Sequence, residues 1–132
     1  MHTFPVQIRF NDIDTLGHIN NVIYGHYFDM ARCDFLMQKF GDLFDVRQNR
    51  FILIMVHTEY NFLLPSFFGD RLHVETSILR IGGKSIHFTQ QVADDKGVVR
   101  VTSLSVMSSY DKESGTSFEI SAEWRAALAS TP

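Results

Sequence analysis

The stretch Asn11-Asp12-Ile13-Asp14-Thr15-Leu16-Gly17-His18-Ile19-Asn20-Asn21-Val22-Ile23-Tyr24 decides the fold of this chain of 132 residues. It crowds carboxylates, an imidazole, amides and a phenol into the crossing from a predicted strand to a long helix. Each buried polar group needs a partner, so such a stretch is a poor way to build a core. It suits a site where a carboxylate meets a helix N-terminus, and this indicates chemistry on a carbonyl group.

A long apolar helix is predicted to follow at once, from about residue 21 to residue 40. Its apolar side chains recur at helical spacing and include Tyr24, Phe28, Ala31 and Phe35. We expect Asn20 or Asn21 to be its N-cap and Gly41 to end it. A helix this apolar should be wrapped by something large.

The rest of the chain has the pattern of strands. Val6–Phe10 alternates apolar and polar residues and predicts a first strand, before the helix. Four long strands are predicted after it, at about residues 51–64, 72–81, 85–93 and 98–110. Gly82-Gly83 and the run from Asp94 to Gly97 are typical hairpin connections, so we expect an antiparallel sheet. Ser121 is expected to cap a short final helix, and residues 1–132 to form a single domain.

The composition is that of an ordinary globular protein, with 45% hydrophobic and 20% charged residues. A net charge of −3 gives no basic field for nucleic acid. The longest apolar run, Phe51–Val56, is too short to span a bilayer, and no secretory signal is recognisable. The single cysteine, Cys33, excludes an intrachain disulfide and fits a reducing compartment, so we expect a cytoplasmic protein. No Cys/His cluster has metal spacing, and we expect neither metal nor cofactor.

The chain resembles the hotdog-fold acyl-CoA thioesterases of the 4-hydroxybenzoyl-CoA thioesterase (4HBT-like) type. The most specific match is Asp14-x-x-Gly17-His18-x-Asn20-Asn21-x-x-Tyr24, followed on the helix by Ala31-Arg32. Weaker matches are Tyr60-x-x-x-x-Pro65-x-x-x-Gly69-Asp70 and Gly83-Lys84-Ser85. The resemblance implies an α+β hotdog fold, in which a curved antiparallel sheet wraps one long central helix.

The expected chemistry also follows from the residues themselves. Attack on a thioester builds negative charge on its carbonyl oxygen, and a helix N-terminus offers free N–H groups and a positive dipole end. A nearby carboxylate can deprotonate water or attack the carbonyl. Asp14 lies seven residues before Asn21, so one tight loop would bring them together. The resemblance implies that Asp14 is the catalytic aspartate and that the Asn21 amide polarises the carbonyl. The alternative is that Asp14 merely caps a helix or turn.

Two residues near Asp14 have two interpretations each. His18 either orients the water or substrate, or hydrogen-bonds to the loop backbone. Tyr24 either lines the acyl pocket or belongs to the core. We expect Asp12 to be a solvated residue at the end of the first strand, because it should point away from Asp14 in an extended chain. Glu59, in a predicted strand, is expected to lie on the surface.

The segment Arg80-Ile81-Gly82-Gly83-Lys84-Ser85 places two cations around a glycine pair. Such a turn is suited to the phosphates of coenzyme A, and the resemblance favours binding by Arg80, Gly83, Lys84 and Ser85. The alternative is an ordinary hairpin with a solvated basic turn.

We therefore expect an acyl-CoA thioesterase that works without a cofactor. The alternatives are a non-catalytic module that binds acyl-CoA, a thioesterase acting on acyl carrier protein, and an acyl-thioester dehydratase. A carboxylate at Asp14 favours hydrolysis over mere binding. An exposed edge strand and the resemblance predict a homodimer or homotetramer, with each site built from two subunits.

Overall fold

A computed structural model of the chain describes residues 1–41 and 47–129. A 3-10 turn at Phe10–Asp12 lies between the first strand and the first helix. The regular elements are β1 (His2–Pro5), α1 (Ile23–Phe40), β2 (Phe51–Phe62), β3 (Leu72–Ile81), β4 (Ser85–Asp94), β5 (Val99–Asp111) and α2 (Ala122–Ala129). The predicted α+β class, one long helix with an antiparallel sheet, is confirmed.

The five strands form one sheet in the order β1-β3-β4-β5-β2, and all neighbours are antiparallel. Both predicted hairpins are present, joining β3 to β4 and β4 to β5. The register shifts between Met55 and His57 in β2, and between Ile78 and Arg80 in β3. Such bulges bend strands and increase their twist. The sheet therefore curves around α1, and β2 remains as an edge strand.

Two apolar clusters lie along α1, one at each half of the helix. The N-terminal cluster contains Tyr24, Tyr27, Phe28, Ala31, Leu72, Val74, Val92 and Val101. The C-terminal cluster contains Phe35, Leu36, Phe40, Leu53, Ile86, Phe88, Ile120 and Leu128. The helix thus runs from the end of the sheet where β3 begins to the end where β4 begins. Its 18 residues span about 27 Å, since an α-helix rises about 1.5 Å per residue.

A buried polar contact fixes the position of α1 on the sheet. The Arg32 guanidinium donates from Nη1 to Gln90 Oε1 on β4 at 2.8 Å, and it also pairs with Asp29 one turn back on the helix. Gln90 Nε2 in turn donates to the Phe28 carbonyl at 3.0 Å and to Thr76 Oγ1 at 2.9 Å. Buried polar groups need partners, and this geometry satisfies them in one register.

The prediction of a first strand at Val6–Phe10 is wrong. β1 is His2–Pro5, which pairs with Thr76–His73 of β3, and the Val6 N–H still bonds to the Leu72 carbonyl at 3.0 Å. Leu72 is the first residue of β3, so the residues after Val6 have no strand left to pair with. The alternation that predicted a strand continues here as extended chain beside α1.

The predicted N-cap is also wrong in detail. The residue before α1 is Val22, whose backbone is already helical (φ −66°, ψ −31°) and whose side chain makes no cap. Asn20 instead closes the turn that leads into the helix, since its Oδ1 accepts the Val22 N–H at 3.0 Å. The predicted stop at Gly41 and the cap of α2 by Ser121 are confirmed. Within the described ranges, neither helix is long and apolar enough to cross a membrane.

Candidate active site

Asp14 lies at the tip of a small hairpin that precedes α1. Ile13 and Ile19 form an antiparallel bridge at its base, and the Asp14 N–H donates to the His18 carbonyl at 3.1 Å. The Gly17 N–H donates back to the Asp14 carbonyl at 3.0 Å, closing a tight turn. Gly17 has φ +87°, which a residue with a side chain rarely adopts. The glycine of the motif therefore fixes the turn that presents Asp14.

The Asp14 carboxylate is half-buried and only partly engaged. Its Oδ1 accepts the Leu16 N–H at 2.9 Å, within its own turn. No described residue donates to Oδ2. Asp14 therefore caps its own turn but not α1, and its other carboxylate oxygen remains available to a water or a substrate.

The start of α1 is held against the base of this hairpin. The Asn20 N–H donates to the Asp12 carbonyl at 2.9 Å, and the Ile23 N–H donates to the Asn20 carbonyl at 2.9 Å. Asn21 is exposed, and its N–H donates to no residue in the described part of the chain. A free N–H at the positive end of a helix dipole is a suitable donor to a carbonyl oxygen that gains charge.

Asp12 is buried, so the expectation of a solvated residue is wrong. Its side chain Oδ2 accepts the Tyr27 hydroxyl at 2.7 Å and the Arg9 N–H at 3.0 Å. The reason is the 3-10 turn at Phe10–Asp12, which replaces extended chain and rotates the side chain inward. Burial, together with this carboxylate, raises the pKa of Tyr27. Asp12 therefore ties the hairpin to the second turn of α1.

His18 contacts the loop backbone, as one of its two interpretations requires. Its Nδ1 hydrogen-bonds to the Ile19 carbonyl at 3.0 Å, and since a carbonyl only accepts, Nδ1 carries the proton. In the neutral ring Nε2 is then an acceptor, and it has no partner among the described residues.

Tyr24 is only 1% exposed and belongs to the N-terminal core cluster. Burial raises the pKa of its phenol, and a hydrogen bond with Ser66 opposes that shift. Its ring packs edge-on against Tyr27, with the centroids 5.9 Å apart. The structure thus places Tyr24 in the core, beneath the site.

Sequence reasoning missed Tyr60 on β2 as a neighbour of the site. Its ring stacks on Phe28, with centroids 5.4 Å apart. A Cβ added to Gly25, in the first turn of α1, would lie 3.1 Å from the Tyr60 hydroxyl. Gly25 therefore leaves room for this hydroxyl beside the helix N-terminus. The sequence signals were the weaker motif match that begins at Tyr60 and a glycine within a helical pattern.

The β3–β4 turn lies at the other end of the sheet from Asp14. Ile86, just after the turn, packs in the cluster at the C-terminal half of α1. The turn is fixed by the C-terminal segment, since the Ile120 N–H donates to the Gly83 carbonyl and Arg125 donates to the Gly82 carbonyl, both at 2.8 Å.

The predicted phosphate-binding side chains differ in their surroundings. Arg80 and Lys84 are exposed, whereas the Ser85 hydroxyl hydrogen-bonds with His87 Nε2 at 3.2 Å. Within one chain, the structure does not bring Arg80, Gly83, Lys84 or Ser85 together with Asp14. Glu59 is exposed on β2. Nowhere in residues 1–41 and 47–129 do three or more His, Cys, Asp or Glu side chains converge to hold a metal ion.

A loop between β2 and β3 hydrogen-bonds to the hairpin that carries Asp14. The Ile19 N–H donates to the carbonyl of Ser66, which is fully buried. Arg100 of β5 contacts this loop and also pairs with Asp94, whose Oδ2 accepts its Nη2–H at 2.8 Å. The Arg100 guanidinium, together with backbone N–H groups, lowers the pKa of Asp94 from 3.8 to about 2.

Comparison with known proteins identifies similar chains. A family model described as the thioesterase-like superfamily matches residues 8–128. The acyl-CoA thioesterase YbgC of Haemophilus influenzae is 24% identical over 91 residues, which are 68% of this chain and 67% of that protein.

Solved structures match over most of the chain. A protein of Pseudomonas aeruginosa strain PAO1 has a TM-score of 0.87 at 25% identity, over 98% of this chain and 90% of that one. A thioesterase of Thermus thermophilus, complexed with coenzyme A and zinc, has a TM-score of 0.82 at 23% identity, over 97% of each chain.

The ion pair between Asp94 and Arg100 predicts that the protein loses stability in acid. Because the pKa of Asp94 is lowered on folding, its ionised form stabilises the protein above the unfolded value of 3.8. That contribution is lost as the pH falls from about 4 to about 2. At pH 6 we expect Asp94→Asn to have a lower free energy of unfolding than the unaltered chain. Between about pH 4 and about pH 2 the free energy of unfolding should fall less in the variant than in the unaltered chain. Urea unfolding at a series of pH values measures these free energies. If they fall in parallel with pH in the two chains, the prediction is wrong.

Proposed function

Because the chain belongs to the thioesterase-like superfamily, we propose that it hydrolyses acyl-CoA to a free acid and coenzyme A, as one domain spanning residues 1–132. The family match and the similarity to YbgC make this chain a thioester hydrolase. The observation that carries the finer proposal is the Asp14 hairpin, whose base is hydrogen-bonded to the start of α1. It combines a partly free carboxylate with a free helix N-terminal amide.

In the proposed reaction Asp14 is the general base. Its carboxylate takes a proton from a water, whose oxygen bonds to the thioester carbon. The Asn21 N–H and the positive end of α1 stabilise the charge that develops on the carbonyl oxygen. Collapse of this intermediate breaks the carbon–sulfur bond, and the thiolate of coenzyme A takes up the proton. Attack by Asp14 itself is the alternative route to the same products.

The choice of coenzyme A as the carrier rests on two supports. YbgC is named an acyl-CoA thioesterase, and the Thermus thermophilus relative is complexed with coenzyme A. Arg80 and Lys84 are exposed cations beside a rigid turn, which suits phosphate groups.

Asp14→Asn tests the catalytic carboxylate. The amide keeps the size and the acceptor oxygen that bonds to the Leu16 N–H, but it is neither base nor nucleophile. We expect kcat to fall by about 100-fold or more, with the free energy of unfolding nearly unchanged. The measurement is hydrolysis of an acyl-CoA panel with a thiol-detecting reagent. Glu123→Gln, which neutralises an exposed carboxylate on α2, is the matched control and should keep full activity. An Asp14→Asn variant with most of its kcat would remove Asp14 from the mechanism.

We further propose that two copies pair through β2. This edge strand and its continuation expose six large apolar side chains, namely Phe51, Ile54, Val56, Phe62, Leu63 and Leu64. Long apolar edges invite pairing with another strand. Antiparallel pairing about a two-fold axis would set the end of one β2 beside the start of the other. It would thereby bring the partner's β3–β4 turn to the Asp14 end of the sheet, so that each site uses two subunits.

Sedimentation tests the assembly. We expect a homodimer, or a homotetramer built from it, rather than a monomer of 15.2 kDa. Val56→Glu should dissociate the pair, because it puts like charges into the apolar edge contact. Leu79→Glu changes an equally exposed apolar residue on β3 and is the control. An active monomer would overturn the proposal.

Lys84→Ala tests the proposed contact between Lys84 and the phosphates of coenzyme A. An exposed phosphate contact is similar in the ground and transition states, so its loss should raise KM for acyl-CoA several-fold and leave kcat unchanged. The effect should weaken at high salt and vanish for a truncated acyl thioester that lacks the nucleotide. An equal loss with the truncated substrate would instead assign Lys84 to structural support, and no loss with either would leave the segment an ordinary turn.

A further inference from the structure

We propose that Arg100 is a positioning residue, whose guanidinium holds the Ser66 loop, residues 63–71, against the Asp14 hairpin. Arg100 lies on β5 and does not itself reach the reacting atoms in this proposal. Its effect on hydrolysis rests on the proposed function, whereas its effect on the hairpin does not.

The Arg100 side chain gathers three parts of the Ser66 loop. Its Nη1 donates to the Pro65 carbonyl, to Ser66 Oγ and to Asp70 Oδ2, each at 3.0 Å. Its Nη2 donates to Asp94 Oδ2 at 2.8 Å, at the end of β4. The side chain is only 14% exposed, so solvent screens these contacts little. One half-buried cation therefore connects two strands to the loop.

Ser66 transmits this restraint to the site. Its carbonyl accepts the Ile19 N–H at 2.8 Å, and its hydroxyl interacts with Tyr24 in the first turn of α1. Ile19 in turn forms the bridge with Ile13 at the base of the hairpin. The Ser66 loop thus contacts both things that the reaction must keep in register, the hairpin that carries Asp14 and the start of the helix.

The positive charge of Arg100 is essential to its hold on the Ser66 loop. Asp70 and Asp94 face the same guanidinium, which lowers the pKa of Asp94, while both carboxylates raise the pKa of Arg100. Removing the cation leaves two carboxylates near one another without a counter-charge, which is unfavourable in a partly buried site. The Ser66 loop should then move away from β4, and the Ile19 hydrogen bond should open more often.

Catalysis is sensitive to such a movement. A displacement of about 1 Å between a catalytic group and its target can cost on the order of 100-fold in rate. We expect Arg100→Met to lower kcat by about 10-fold to 100-fold. We expect KM for acyl-CoA to change little, because the Arg100 guanidinium donates to the Ser66 loop and to Asp94 and is not one of the proposed phosphate contacts.

The chain offers a matched control at the far end of the same sheet. Arg50 pairs with Asp111 through Nε and Nη2, both at 2.8 Å, beside the first residue of β2. Arg50→Met therefore also removes a cation from a double hydrogen bond to a carboxylate, but it leaves the Ser66 loop intact. Because Arg50 adjoins the β2 edge, its kcat is compared only after sedimentation shows the same assembly as the unaltered chain, and the Ile19 exchange rate is compared in either case. Any general effect of lost stability should appear in both variants.

The experiment combines kinetics with native-state hydrogen exchange. For both variants, kcat and KM are measured with acyl-CoA at temperatures equally far below the melting temperature. Exchange of the Ile19 amide is followed in the same samples by NMR. We expect Arg100→Met, but not Arg50→Met, to lose kcat and to exchange the Ile19 amide at least 10-fold faster.

Arg100→Lys keeps the charge and covers the case in which the methionine variant does not fold. An ammonium group cannot reach Asp94 and the three acceptors of the Ser66 loop at once, so its kcat should also fall. Equal kcat in the Arg100 and Arg50 variants would overturn the proposal, and so would an unchanged Ile19 exchange rate. If the unaltered chain hydrolyses no acyl thioester, the proposed function fails, and the Ile19 exchange still decides whether Arg100 anchors the hairpin.

Discussion

The burial of one apolar helix against the concave face of an antiparallel sheet is the interaction on which the rest of this structure depends. The two core clusters divide α1 between the two ends of the sheet. The buried Arg32–Gln90 contact then fixes how far along the sheet the helix lies. Because the helix cannot slide, its N-terminus is held at one defined place beside the start of β3, and a site can be built there.

The site itself is assembled from polar groups that the core cannot leave unpaired. Asp12 bonds to Tyr27, and Ser66 accepts the Ile19 N–H, so both sides of the Asp14 hairpin are tied to buried elements. Asp14 and Asn21, by contrast, retain groups that no described residue engages. This division suits the proposed reactive site, since the supporting groups are satisfied by the protein and the proposed reacting groups are left for a substrate.

The distance between the hairpin and the basic β3–β4 turn imposes a second constraint. The two lie at opposite ends of a helix about 27 Å long, so one chain alone does not place its own cations at its own carboxylate. The exposed apolar edge of β2 offers a physical way to join them, through a second copy. In the proposed dimer, assembly and substrate binding would be connected through the same strand.

The sequence by itself determined the parts of this protein that depend on local pattern. Apolar spacing predicted α1, the glycine and aspartate turns predicted both hairpins, and the density of polar groups around Asp14 indicated the candidate site. Only the tertiary structure decided the rest. Val6–Phe10 alternates like a strand but finds no partner beyond Leu72, and Asp12 is turned inward by a 3-10 turn. Arg100 and Tyr60 lie far from Asp14 in the chain. Hydrogen bonds bring Arg100 to the Ser66 loop behind the hairpin, and packing on Phe28 brings Tyr60 beside the start of α1. Periodicity reports what a segment can form, whereas its neighbours in space determine which polar groups are paired and which remain free.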